Sequence, residues 1–204
     1  MRPLLLFSLA SPLLLVLACA SGCRSPLLRS DVVVSGDKMV TAHVPQGDGW
    51  HCQVNDADKT SFQQRGVKCI QDTGLVLNAR VLDVETNDAR TAKLFCIQDW
   101  KEEYQSVFSG VQSYTHDVVD WRGVPACQVV IDGASAKGAW HLWELHAPNG
   151  RRLLEITVSG LLPLAKKEQP TVDAWLADLK YDLTLPGQTL PGQTAPGQTV
   201  PAAR

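Results

Sequence analysis

Six cysteines and five histidines carry most of the reactive chemistry in this chain. Cys52, Cys69, Cys96 and Cys127 stand far apart, with no Cys-x-x-Cys knuckle of the kind that closes around zinc. Disulfides are therefore expected in place of a metal site. His43, His51, His116, His141 and His146 all fall in expected strands or at their ends. No nucleophile elbow, paired-histidine helix or phosphate loop accompanies them. They read as structural, and a hydrolase built on His116 or His141 is the one catalytic alternative. Asp56 and Asp58 invite a calcium reading, but the glycine and the later glutamate of a calcium loop are missing, so residues 55–59 read as a polar turn. No cofactor motif is present.

The compartment is set by residues 1–22. Arg2, a short apolar core from Leu4 to Val16 and a small-residue exit make a secretory signal, since a membrane span needs ~20 apolar residues. Three exits are open. Ala18-Cys19-Ala20 offers ordinary cleavage, while Val16-Leu17-Ala18-Cys19 and Ala20-Ser21-Gly22-Cys23 each resemble the lipobox at which bacterial lipoproteins are acylated. Lipidation of Cys23 is the expected outcome, because it leaves an even set of four cysteines for two bridges in an oxidising compartment. Arg24, where the enterobacterial sorting pattern would place Asp for inner-membrane retention, favours the outer membrane. Such a chain is anchored to a bilayer without crossing it.

The rest is the composition of one globular domain, 45% hydrophobic and 20% charged, with a formal net charge of −2. No basic stripe recommends nucleic acid. Residues 23–36 are expected as a lipidated tether in which Val32 to Val34 could add a short edge strand. Residues 186–204 carry repeated Pro-Gly-Gln-Thr units, too poor in apolar residues to offset ordering the chain, and are expected as a disordered tail. That tail is a spacer, a binding arm or an extension without a role.

The folded domain is expected over 37–185. Alternation and turn residues predict strands at 37–44, 50–54, 62–71 and 75–84, with Asn78 and Arg80 on a partly wet face. Leu94, Ile97, Trp100, Tyr104, Val107 and Phe108 recur at helical spacing and predict the main helix over 89–108. Strands at 112–120, 124–132, 138–146 and 152–159 follow, and Asn149-Gly150 is the sharpest turn signal. Trp143 and Leu145 face one way while Trp140 and Leu142 face the other, which calls for cover on both sides of the sheet. Short helices follow Pro163 and Pro170, the second with the stripe Val172, Trp175, Leu176 and Leu179. The expected architecture is α+β: an antiparallel sheet with helices packed on it, in a three-layer α/β/α sandwich. Cys52 and Cys69 lie on consecutive strands, Cys96 faces the sheet from the helix, and Cys127 shares a face with Val129 and Ile131. The expected pairing is thus Cys52 with Cys69 and Cys96 with Cys127.

Val44-Pro45 followed by Gly49-Trp50, the mid-chain helix, the hairpin Trp121-Arg122-Gly123-Val124-Pro125-Ala126 and the helix ending Trp175 to Leu179 resemble the Mog/PsbP-like superfamily. The resemblance covers nearly the whole folded domain and implies a PsbP-like fold used for binding and assembly. It supplies no catalytic residues, and the four cysteines are not part of its signature.

Trp50, Trp100, Trp140, Trp143 and Trp175 fit core positions. Trp121 differs, standing beside Arg122 at a hairpin turn, a composition common in binding hot spots; the alternative is an indole folded back over its own hairpin. Three functions follow. The first is a non-enzymatic envelope lipoprotein that docks or assembles with another envelope protein through Trp121 and Arg122. The second is a small-ligand carrier or sensor with a cleft between sheet and helix. The third is a hydrolase.

Overall fold

The structure is a computed structural model and describes residues 27–56, 65–83, 92–97, 104 and 108–183. The strands are β1 (Leu28–Val34), β2 (Val40–Pro45), β3 (Trp50–Asp56), β4 (Arg65–Gln71), β5 (Val76–Asp83), β6 (Gly110–Trp121), β7 (Val124–Ser135), β8 (Gly138–Asn149), β9 (Arg152–Leu161) and β10 (Lys180–Tyr181). The helices are α1 (Ala92–Ile97), α2 (Leu162–Lys167) and α3 (Gln169–Asp178). Cys23 and the repeat tail lie outside the described residues, as do Asp58, Trp100 and most of the expected 89–108 helix.

Seven strands form one antiparallel sheet in the order β3-β4-β5-β9-β8-β7-β6, and three form a second in the order β1-β2-β10. Short connections dictate the run β6 to β9, in which each strand pairs with the next. Asn149-Gly150 makes the tight turn from β8 to β9, with Asn149 opposite Arg152.

Alternation sorts the large sheet's side chains into two layers. On one face Val67, Cys69, Leu77, Ala79, Leu145, Ala147, Leu154, Ile156 and Val158 pack with Val40, Ala42 and Val44 of the small sheet and with Val172 and Trp175 of α3. On the other, Val129, Ile131, Leu142 and Leu153 pack with Phe108, near α1. Gly133 makes room for the Phe108 ring, whose Cδ1 would lie 2.7 Å from an added Cβ. Trp140 joins this second layer and Trp143 the first, as their alternation requires.

The fold is α+β and mostly antiparallel sheet with short helices. The expected three-layer α/β/α arrangement is met only in part, because the small sheet shares one face with α2 and α3. Two elements depart from expectation, β1 by starting before Val32 and β10 as an added strand within 37–185. β1 begins at Leu28, inside the 23–36 stretch expected as a tether, and β10 adds two residues beyond the last helix. Both exist through pairing with β2, which lies between them.

Candidate functional site

The hairpin joining β6 and β7 has a two-residue loop, Arg122-Gly123, with φ of 54° and 82°. Positive φ at both centres is the primed turn that matches the twist of paired strands. It suits glycine but costs an arginine side chain some strain. Arg122 has a compensating set of bonds. Its guanidinium donates to the carbonyl oxygens of Leu176, Ala177 and Leu179, at 2.9 Å for Ala177 and 2.7 Å for Leu179. These carbonyls end α3, where the last turn lacks intrahelical donors and the helix dipole favours a cation. The same guanidinium sits 5.2 Å from the Trp121 ring centroid and 5.8 Å from that of Tyr181. Trp121 is half-buried and lies 6.2 Å from Trp143, centroid to centroid. The pair expected to meet a partner thus has partners within the domain, and it bends the hairpin tip over the terminal helix. Burial raises the Tyr181 pKa above 10.0, and the Arg122 charge and the Trp121 indole partly offset it.

Beneath α3 is a cleft of about 190 Å3, floored by His141, Trp143 and Val158 and roofed by Gln169, Val172, Asp173 and Leu176. His141 Nδ1 donates to Asp132 at 2.6 Å, which fixes the imidazole. Gln169 Nε2 donates to Asp173 at 2.8 Å. No serine, threonine or cysteine lines this cleft. The His–Asp pair therefore stands without a nucleophile among the lining residues. His116 lies elsewhere, on exposed β6, with its ring 5.3 Å from Tyr114.

The remaining histidines also meet carboxylates. His43 bonds Asp178 at 2.5 Å, His51 meets Asp72 at 3.1 Å, and His146 meets Glu144 at 3.3 Å. The Glu144 carboxylate also accepts the Tyr104 hydroxyl, which ties the segment beyond α1 to the sheet. Beside them on the same face, Arg80 and Glu155 form an ion pair at 2.5 Å between β5 and β9. Asn78 and Arg80 gave this wet face away in the sequence, whereas Glu144, His146 and Glu155 needed the strand register to be recognised.

Cys52 and Cys69 are direct cross-strand partners on β3 and β4 and are bonded, and Cys96 of α1 is bonded to Cys127 of β7. The pairing is the one expected from strand adjacency and facing. Among the described residues no group of three or more histidine, cysteine or acidic side chains is placed to hold a metal ion. No helix among them is long and apolar enough to cross a membrane.

The large sheet ends in β3 on one side and in β6, twelve residues long, on the other. On the far side of β6 no strand pairs with it among the described residues. Residues 115 to 118 are exposed on both faces, and Val118 is 51% exposed. The strand contains neither lysine nor proline, two of the usual means of blunting an edge.

No family model matches the chain, and no curated protein sequence matches it. Solved structures do resemble it. Cyanobacterial PsbP (CyanoP) from Synechocystis sp. PCC 6803 aligns with a TM-score of 0.53 at 12% identity, covering 81% of this chain and 99% of that one. LpqN, involved in cell envelope biogenesis of Mycobacterium tuberculosis, aligns with a TM-score of 0.48 at 15% identity, covering 74% of this chain and 88% of that one. The likeness to CyanoP shows a PsbP-like fold.

Proposed function

We propose that this chain is a non-enzymatic envelope lipoprotein, anchored through Cys23 to the outer membrane, that docks an extended segment of another envelope protein. The observation that carries this reading is the open edge of β6. A row of backbone donors and acceptors without a strand partner accepts an added strand, with main-chain hydrogen bonds for affinity and alternate side chains for choice of partner. In this role Trp121 and Arg122 set the end of the docking edge by pinning the hairpin tip to α3.

The test is a photocrosslinking residue at Thr115 or Val118 in intact envelopes. The expected result is a discrete adduct with an envelope protein, lost when Thr115→Lys/Val118→Lys charges the edge. An adduct that survives this double substitution, or none from either position, would sink the reading.

The cleft favours a second reading, a carrier of a small one-ring molecule. An apolar cavity of on the order of 150 Å3 holds benzene; this cleft has room for one ring against Trp143, Val158, Val172 and Leu176, with His141, Gln169 and Asp173 as its polar lining. Titration with small aromatic ligands, followed by the amide and indole signals of Trp143, tests it; unmoved signals would remove it.

A further inference from the structure

Large apolar side chains are exposed at four described positions: Leu27 at 36%, Val32 at 47%, Val34 at 41% and Val118 at 51%. The last belongs to the docking edge. The other three lie on or directly before β1, a strand at the rim of the small sheet.

The side chains of β1 alternate. Val33, opposite Ala42, turns into the core, so Val32 and Val34 turn the other way, on the face of their partners His43 and Thr41. Val32-Val33-Val34 is thus apolar on both faces, and on the outer one, where Asp178 of α3 reaches only as far as His43, Val32 and Val34 stay exposed. Leu28 is buried opposite Pro45, and a register irregularity between Leu28 and Val32 separates the two parts of the strand.

What lies next to this strip is set by chain length. Leu27 follows Cys23 by four residues, which span ~14 Å at most. We propose that Val32 and Val34, with exposed Leu27 on their anchor side, rest on the lipid bilayer beside the anchor, an inference that itself rests on the lipoprotein reading. The contact is apolar rather than electrostatic. Exposed Asp31 accompanies Arg29, whose guanidinium is turned onto the Gly47 carbonyl, and the chain as a whole is slightly acidic. A zwitterionic lipid surface therefore suffices.

An acylated cysteine already holds the protein at the membrane, so the strip governs orientation and adds little to affinity. The small sheet packs against β3, β4 and β5. The open edge of β6 lies six strand steps beyond β3, or ~30 Å at the usual spacing. With β1 on the bilayer, the β6 edge is thus displaced from the contact along the sheet.

The test uses the mature acylated chain with labelled valine and leucine methyls, in phosphatidylcholine nanodiscs with and without a doxyl-labelled lipid. Mass spectrometry of the same sample reads the lipid on Cys23. The expected result is loss of the Leu27, Val32 and Val34 methyl signals with the doxyl lipid, while those of Val118 persist. Retention of all these signals on a chain that carries its lipid overturns the bilayer contact and leaves the anchor standing. A mass without acyl groups overturns both. If the same methyls shift with protein concentration in the Cys23→Ser chain without lipid, a second copy covers the strip and the proposal is wrong.

Discussion

The two faces of the seven-stranded sheet use alternate residues of the same strands yet are held by different forces. The face under α3 and the small sheet is filled by apolar side chains, with Trp50 and Trp175 among them. The opposite face is apolar around Phe108, from Val129 and Ile131 of β7 to Leu153 of β9, and it turns ionic around Arg80, Glu144, His146 and Glu155. One face should therefore answer to volume and the other to charge pairing. Trp175 tests the first most sharply. It is 1% exposed, and its indole nitrogen finds no acceptor among the described residues, so its contribution is packing. Trp175→Ala is expected to cost about 3–5 kcal/mol in urea unfolding, and Trp175→Phe distinctly less. Equal losses from both would make the indole's shape, not its bulk, the requirement.

Arg80 and Glu155 give the contrast on the other face, with side chains 24% and 12% exposed. Removing one member of such a pair leaves a charge stranded, whereas replacing both with apolar groups is often neutral. Arg80→Met is expected to cost about 3 kcal/mol, and Arg80→Met/Glu155→Leu to recover most of that loss. If the double variant is as unstable as the single, the ionic patch is not held by this pair and the distinction between the faces fails.

How far the chain discloses these faces depends on distance in sequence. The β7 to β9 meander follows from local alternation and from Asn149-Gly150, so Trp140 and Trp143 sort to opposite layers without tertiary information. Cys52 with Cys69 was legible because the two lie on consecutive strands. β1 was legible only at Val32 to Val34, since Leu-Arg-Ser-Asp before them shows no alternation and joins the strand by pairing with β2. Two-residue β10 is the extreme case, defined by its partners Thr41 and Val40. Arg122 shows the same boundary at the candidate site. Its place beside Trp121 is visible in the sequence, but the carbonyls it caps lie more than fifty residues away. Composition there suggests a hot spot, while geometry supplies a helix cap.

At the rim of the dry face the two regimes meet, because Tyr181 is half-buried and its ring lies near the Arg122 guanidinium. Burial disfavours the phenolate and raises the Tyr181 pKa above 10.0, with the cation pulling it part of the way back. The sign of the linkage follows. The unfolded chain loses this proton more readily, so the stability contributed by neutral Tyr181 is intact below its unfolded pKa and is lost as pH rises through the folded one. Phenolate absorbance, read as the difference between the parent and Tyr181→Phe, should therefore appear above the range of a free tyrosine. Arg122→Gln removes the charge that opposes burial and is expected to move that titration higher still. A downward move would mean that the hairpin tip had left α3 and let water reach the ring. In that event Arg122 matters to this rim as the clamp on the helix end, and its charge is secondary.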